Sequence, residues 1–407
     1  MHDGGCCDRE SGGGAAHLPL EAARRRAAGI AAPIGRIETV PPGDAAGRVL
    51  AAPAHASLAQ PGFDRSAMDG YALRSADLTG AGPWRLPVAL RAAAGDAPAA
   101  LPKRAAARIF TGAPLPAGAD AVVMQEGTRR EGAVVELSAA PRSGDNVRRR
   151  AEEFEAGDPL IPAGRRLSAR DLALAASGGV RSLSVRARVR VALLVTGNEL
   201  AIAGAAPDPG SIPDVDTPLL PPQRVPDRLE DHLRAIGEAA RGADLVITTG
   251  GVSVGEEDHV RAAVLGLGGR IEVEGVAMKP GKPTALGRIG DAVWLGAPGN
   301  PMSACIAFCL FVPSLLAGLS GDAGAPPPRF GVAANALRKQ AGRAEIRPAR
   351  LKGAGAAGAP RLVIDAHVSS DRLGPLARAQ CCVILPAGAE EIAPGAPVEI
   401  LPFPEGM

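Results

Sequence analysis

The stretch that most constrains this chain is Asp244-Leu-Val-Ile-Thr-Thr-Gly-Gly-Val-Ser-Val-Gly-Glu-Glu-Asp258. Leu245 to Thr248 read as a buried strand that runs straight into a glycine-rich turn, and the turn delivers three acids, Glu256, Glu257 and Asp258. Glycines let backbone N–H groups approach an anion closely. In an open α/β sheet, ligands sit just past the C-terminal ends of the strands. Carboxylates beside such a cradle suit a hard cation such as Mg²⁺; the plainer alternative is a strand-to-helix turn with solvated acids. The surroundings support a sheet. Val189 to Val195 and Ala292 to Leu295 also read as strands, and Asp227 to Gly242, His259 to Leu267 and Pro301 to Leu316 as helices. Strands alternating with helices imply a parallel sheet.

At 407 residues the chain exceeds one core of ordinary size, so about two to four domains are expected. Residues 56–155 hold short Val/Ile/Leu runs between Gly and Pro. Val88 to Arg91, Ala107 to Phe110, Ala121 to Gln125 and Ala133 to Leu137 read as strands of a β-rich insert. Leu20 to Gly29 and Arg165 to Ser177 carry helical patterns, and residues 330–402 alternate at short period, as in a small β domain. A net charge of +2 and 2% aromatics give no case for nucleic acid. The longest apolar run, Pro301 to Leu319, is interrupted by Pro313 and reads as a buried helix behind an Asn300 cap, not a membrane span. Six cysteines, without metal spacing or staple geometry, fit a reducing cytosol. The glycine-rich start, Met1 to Gly14, has no apolar signal region and reads as disordered.

Further candidates gather around the sheet. Thr196-Gly-Asn-Glu-Leu200 puts Glu199 at a strand end. Met278-Lys-Pro-Gly-Lys-Pro283 offers Lys279 and Lys282 on a stiff turn, as an oxyanion seat or as two solvated lysines. Gly296-Ala-Pro-Gly-Asn-Pro301 opens a helix, whose N-terminus is itself an anion site. Asp227-Arg-Leu-Glu230 reads as a capping box, and Asp227 also as a metal ligand; the two roles are compatible. In the insert, Asp69-Gly70 reads locally as a hairpin turn, with Asp69 kept as a site candidate beside the sole tyrosine, Tyr71. Asn146-Val-Arg-Arg-Arg-Ala-Glu-Glu153 is either a solvated charge run or a set of arginines for a diphosphate.

Taken in order, Ser66-Ala-Met-Asp-Gly-Tyr-Ala72, Thr111-Gly-Ala-Pro-Leu-Pro116, Val122-Val-Met-Gln-Glu126, Asn146-Val-Arg-Arg-Arg150, Thr196-Gly-Asn-Glu-Leu200, Gly250-Gly-Val-Ser-Val-Gly-Glu256, Lys279-Pro-Gly-Lys-Pro283 and Pro298-Gly-Asn-Pro301 resemble the MoeA family of molybdopterin molybdenumtransferases, related to the E domain of gephyrin. The likeness spans about residues 18 to 405. It implies a multidomain α/β fold: a three-layer α/β/α cofactor-binding domain over 188–328, a β-rich insert over 56–155, a discontinuous linker and dimerisation domain over 18–55 and 156–187, and a C-terminal β-barrel over 329–407, behind a disordered 1–17. It implies a cytoplasmic homodimer that inserts molybdate into adenylylated molybdopterin with Mg²⁺ and releases AMP. Molybdopterin adenylyltransferase and apo-molybdoenzymes are the implied partners, and nucleic acid and membrane are not. By the same likeness Glu199, Asp227, Asp258 and Asp69 are catalytic; the first three hold Mg²⁺, and Asp69 reaches the partner subunit's cleft. Gly250, Gly251, Ser253, Gly255, Lys279, Lys282, Pro298, Pro301, Arg148 and Ser370 bind substrate.

The chain also departs from the family pattern. Ala201 to Pro226 is Pro- and Ala-rich and too short in pattern for the family's helix and strand, which predicts a domain trimmed by about a helix and a strand, with the first strand's edge exposed. Gly275 stands where a basic residue is expected, Glu153 where an Asp is, and Asp371 follows Ser370 where Gly is usual. These departures leave open an impaired homologue that binds molybdopterin or a molybdoenzyme partner without inserting metal. A sister adenylyltransferase is disfavoured by the whole N-terminal section around Ser66 to Ala72.

Overall fold

The computed structural model describes residues 17–197, 200–201, 212–213, 223–252, 259–324, 327–355, 358–366, 369 and 372–404. It divides into two compact units, residues 37–185 and the remainder of the chain. Helix α1 (Leu20–Ile30) opens the described chain and buries Leu20, Ala23, Ala27 and Ile30, a helical i, i+3, i+4 stripe. Its stripe belongs to the core of the unit outside 37–185, where it packs on the long helix α5 described below.

The unit 37–185 is built on a six-stranded sheet. Its strands are β1 (Gly70–Leu73), β2 (Trp84–Ala92), β3 (Ala106–Ile109), β4 (Ala121–Met124), β5 (Thr128–Glu131) and β6 (Val134–Leu137), in the order β4-β1-β3-β2-β6-β5. All four strands expected in the insert are present. Short ladders pair Val147–Arg148 with Arg65–Ser66, and Pro159–Ile161 with Ala54–His55. Helix α2 (Ala169–Ser177) starts with a full capping box, in which the Ser168 hydroxyl accepts from the Asp171 N–H and the Asp171 carboxylate accepts from the Ser168 N–H.

The second unit contains the expected α/β sheet. Its strands are β7 (Val191–Thr196), β8 (Gln223–Val225), β9 (Leu245–Thr249), β10 (Arg270–Glu274), β11 (Met278–Lys279), β12 (Ala285–Ile289) and β13 (Ala292–Ala297); its helices are α3 (Leu229–Gly242), α4 (His259–Gly266) and α5 (Pro301–Ser320). The sheet order is β8-β7-β9-β13-β12-β10, parallel from β8 to β13 and antiparallel at β12 and β10. Alternation sorts its side chains into two cores. Leu193, Val195, Leu245, Ile247, Val293 and Leu295 face α1 and α5, whereas Leu194, Val246 and Trp294 face α3 and α4. Helix α5 is apolar and long enough to cross a membrane by length and composition, and most of it is buried in this core.

The expected trimming needs correction at its strand. Residues 223–225 form β8, paired in register with Leu194, Val195 and Thr196, so the edge of β7 is covered. Three residues suffice because β7 offers an open parallel edge and Val225 buries its side chain there. Leu200–Ala201 and Ile212–Pro213 add a short parallel ladder. The expected loss of a helix falls on 202–222, of which only 212–213 are described. The same unit ends in a small barrel of β14 (Arg329–Ala333), β15 (Ala344–Ala354), β16 (Pro360–Ile364), β17 (Cys381–Leu385) and β18 (Pro397–Pro402). The ring runs β15-β16-β14-β18-β17 and closes between β17 and β15, with β11 added in parallel to β15.

Candidate functional site

Three parallel strands end side by side. Val195 pairs with Thr249, and Thr249 with Ala297, so the loops after β7, β9 and β13 leave the sheet at one level. They are then tied together: Thr196 Oγ1 donates to Thr249 O at 2.8 Å, and Gly250 N donates to Ala297 O at 3.1 Å. Gly250 has φ +84°, and a Cβ there would fall 2.6 Å from Thr196 Oγ1; Gly251 has φ +60°, and its Cβ would fall 2.7 Å from Val260 Cγ2. Gly299 lies against Gly250, whose Cα would be 3.4 Å from an added Cβ. The two loops pack backbone on backbone because neither has a side chain between them. Helix α5 starts from this spot, with Asn300 as N-cap and Pro301 at N1. Pro298 and Pro301 therefore flank a helix N-terminus, a place where backbone N–H groups can receive an anion. The Asn300 cap position is as read from sequence, although its side chain makes no cap hydrogen bond.

The lysine turn reaches the same edge. β12 begins at Ala285, paired with Gly296 at the end of β13, so the 279–284 turn sits beside the Pro298 loop. Thr284 Oγ1 donates to Gly281 O at 2.7 Å, and Val276 N donates to Lys282 O at 2.8 Å, which holds the turn from both sides. Lys279 and Lys282 are half-buried, and among the described residues no carboxylate pairs with either ammonium. Two cations without a carboxylate partner among the described residues, on a fixed turn beside a helix N-terminus, have the chemistry to receive an anion.

Asp227 follows β8 by two residues, on this same edge of the sheet. Its capping-box reading is overturned: the N-cap of α3 is Arg228, and no side chain caps there. Glu199, Ser253, Gly255, Asp258 and Ser370 lie outside the described residues. Position 275 is occupied in space. Gly275 has φ +83°, and His17 Nδ1 would lie 2.6 Å from a Cβ placed on it. Burial and the nearby Lys282, Arg343 and Arg261 charges hold the His17 pKa below its usual value, against a bond with the Glu274 backbone.

A buried pair that the sequence reading missed stands next to the lysines. Lys279 pairs in register with Glu345 of β15. Glu345 and Arg347 are both buried and joined by Nη2–Oε2 at 2.5 Å and Nε–Oε2 at 2.9 Å. Arg347 also donates to Ala366 O at 2.9 Å and Arg338 O at 3.1 Å, fixing the chain ahead of Ser370. The signal lay in Ala344-Glu-Ile-Arg-Pro-Ala349, where two opposite charges at i and i+2 share one face of a segment otherwise made of apolar residues.

The unit 37–185 carries Asp69 and Arg148. Asp69 Oδ1 accepts from Thr111 N and from Thr111 Oγ1, both at 2.8 Å. The Thr111 N–H, then its hydroxyl, keep the Asp69 pKa below the usual carboxylate value. Asp69-Gly70 is no hairpin turn. Gly70 opens β1 in a slot so tight that a Cβ would fall 1.9 Å from Val123 O. Arg148 pairs with Glu152 at 2.9 Å on the surface, and Asp64 holds Arg149 at 2.7 Å and the Arg150 N–H at 2.7 Å. Such exposed pairs are weak and exchange readily for a phosphate. A cavity of about 890 Å³ in this unit, lined by Leu50, His55, Leu58, Val180 and Arg181 among others, contains none of the expected site residues. The expected site residues of the other unit gather instead on its converging loops and lysine turn.

Comparison with known proteins covers both units. Residues 18–179 match the MoeA N-terminal region (domain I and II), 192–317 a probable molybdopterin binding domain, and 331–403 the MoeA C-terminal region (domain IV). The chain is 37% identical to a molybdopterin molybdenumtransferase of Nostoc sp. over 303 residues, 70% of each protein. It is 34% identical to one from Synechococcus elongatus over 388 residues, 89% of this chain and 94% of the relative. A solved structure of the molybdopterin biosynthesis MoeA protein from Pyrococcus horikoshii aligns with a TM-score of 0.79 at 28% identity, covering 96% of this chain and all of that one.

Proposed function

Because this chain belongs to the MoeA family of molybdopterin molybdenumtransferases and is a transferase of molybdenum cofactor biosynthesis, we propose that it inserts molybdate into adenylylated molybdopterin and releases AMP with Mg²⁺. The observation that carries this reading is the convergence of the Gly250–Gly251 loop, the α5 N-terminus and the Lys279/Lys282 turn on one sheet edge. Molybdate and the diphosphate are both anions, and this edge supplies N–H donors and ammonium groups with, among the described residues, no competing carboxylate on either lysine. The glycine loop seats the pterin phosphate, and Lys279 and Lys282 hold the oxyanion. Mg²⁺ would be held by Asp227 together with Glu199 and Asp258; an all-carboxylate donor set suits a hard cation, and the ion would supply charge neutralisation at the phosphoanhydride. Arg148 and Asp69 serve the cleft of a partner subunit in a homodimer, a role supported by their exposure and fixed geometry. The setting is cytosolic, supported by Cys305, Cys309, Cys381 and Cys382 being buried thiols not joined in disulfides.

The decisive experiment supplies adenylylated molybdopterin, Mg²⁺ and molybdate and follows AMP release and active cofactor. AMP release that depends on molybdate and Mg²⁺ is expected. Tight pterin binding without AMP release would sink the insertase reading and favour a binding-only homologue.

A further inference from the structure

Among the described residues, His232 has a buried side-chain nitrogen that the fold does not account for. The residue sits in the first turn of α3, is 1% exposed, and Nε2 has no hydrogen-bond partner. Its other nitrogen, Nδ1, lies 2.9 Å from Arg228 O. A carbonyl can only accept, so Nδ1 carries the proton and Nε2 of the neutral ring is a lone pair. An orphaned buried acceptor costs free energy and calls for an unseen partner. A histidine whose far nitrogen is pinned by a backbone carbonyl, with its near one free, is the arrangement that presents imidazole to a metal. The second ring is His259, the first residue of α4, with its centroid 6.0 Å from that of His232 and the planes at 65°. Two imidazoles sharing one ion at nitrogen–metal distances of about 2.1 Å hold their ring centroids roughly 5–6 Å apart.

We infer that His232 and His259 form a two-nitrogen site for a borderline divalent cation of the Zn²⁺, Ni²⁺ or Cu²⁺ kind, between the first turns of α3 and α4. Imidazole nitrogen selects these ions over Mg²⁺, which prefers oxygen. No set of three His, Cys, Asp or Glu gathers among the described residues, so water or a bound anion completes the shell, as in open sites. The position matters because α4 follows the glycine loop directly and its Val260 packs on Gly251. An ion there locks the two helix starts that back the phosphate seat. The inference is independent of the molybdenum reaction and would stand if the insertase reading failed.

Its test is Zn²⁺ titration of the full-length protein by calorimetry in excess Mg²⁺, with no pterin present. One Zn²⁺ site is expected, weakened roughly tenfold or more in His232→Leu and separately in His259→Gln. Bound Cu²⁺ should show coupling to two imidazole nitrogens by electron paramagnetic resonance. His259→Gln changes a half-buried residue at a helix start, so it remains informative if His232→Leu fails to fold. Absence of a Zn²⁺ site, equal affinity in the wild type and His259→Gln, displacement by Mg²⁺, or a Cu²⁺ spectrum without two-nitrogen coupling overturns the assignment.

Discussion

The sheet edge at Gly250 and the insert face at Asp69 both hold expected site residues, but by opposite means. At the sheet edge the geometry depends on side chains that are missing: Gly250, Gly251 and Gly299 let three loops close on one another. At the insert face it depends on side chains that are present, with Thr111 gripping Asp69 and Asp64 gripping the arginine run. The first arrangement should resist chemical change poorly and solvent change well. The second should behave in reverse, because exposed hydrogen bonds and ion pairs shift with pH and salt.

The largest effect is expected where the sheet edge meets the barrel. Arg347→Ala leaves Glu345 buried and uncompensated, so unfolding free energy should drop by about 3–5 kcal/mol in urea titrations. A loss below about 1 kcal/mol would show that the pair is solvated. Gly250→Ala comes next. A positive φ and a Cβ 2.6 Å from Thr196 Oγ1 should cost about 2 kcal/mol and most of the AMP release; a fully active variant would break the claim that absent side chains define this edge. Lys282→Ala should leave the melting temperature alone and weaken molybdate binding about tenfold, a loss of one charge-assisted contact. The smallest effect sharpens the other face. Thr111→Val should raise the Asp69 pKa toward 3.8, read by carbon-detected NMR. A carboxyl depressed in the folded state stabilises above its unfolded pKa and loses that contribution as pH falls through the folded value. The Asp69 contribution therefore survives at neutral pH and fades only in acid below 3.8; in Thr111→Val the fading should start at the same pH, set by the unfolded chain, but be smaller and complete at a higher pH.

Much of the sheet edge was legible in the sequence, because strand, glycine turn and proline-started helix are local signals that agree with one another. Leu245 to Thr248 and Pro301 announced themselves this way. The misreadings are cases where distant partners decide. Gln223 to Val225 has no period of its own and is a strand only because β7 lends it an edge. The Asp227-Arg-Leu-Glu230 spacing satisfied a capping rule, yet α3 starts one residue later. Asp69-Gly70 had the composition of a hairpin turn but opens a strand whose neighbours lie nearly 40 and over 50 residues onward, at Ile109 and Met124. His17 reaches Gly275 across more than 250 residues of chain, which no short-range pattern encodes.

Trp294 is fully buried and its indole Nε1 donates to Thr248 Oγ1 at 3.1 Å, two residues before Gly250. The other tryptophan, Trp84, lies in the unit 37–185. Replacing Trp84 with Phe would leave a single tryptophan wired to the floor of the proposed phosphate seat. The protein would thus carry its own optical gauge, whose selectively excited tryptophan emission is expected to report loading of that seat without dye, label or turnover.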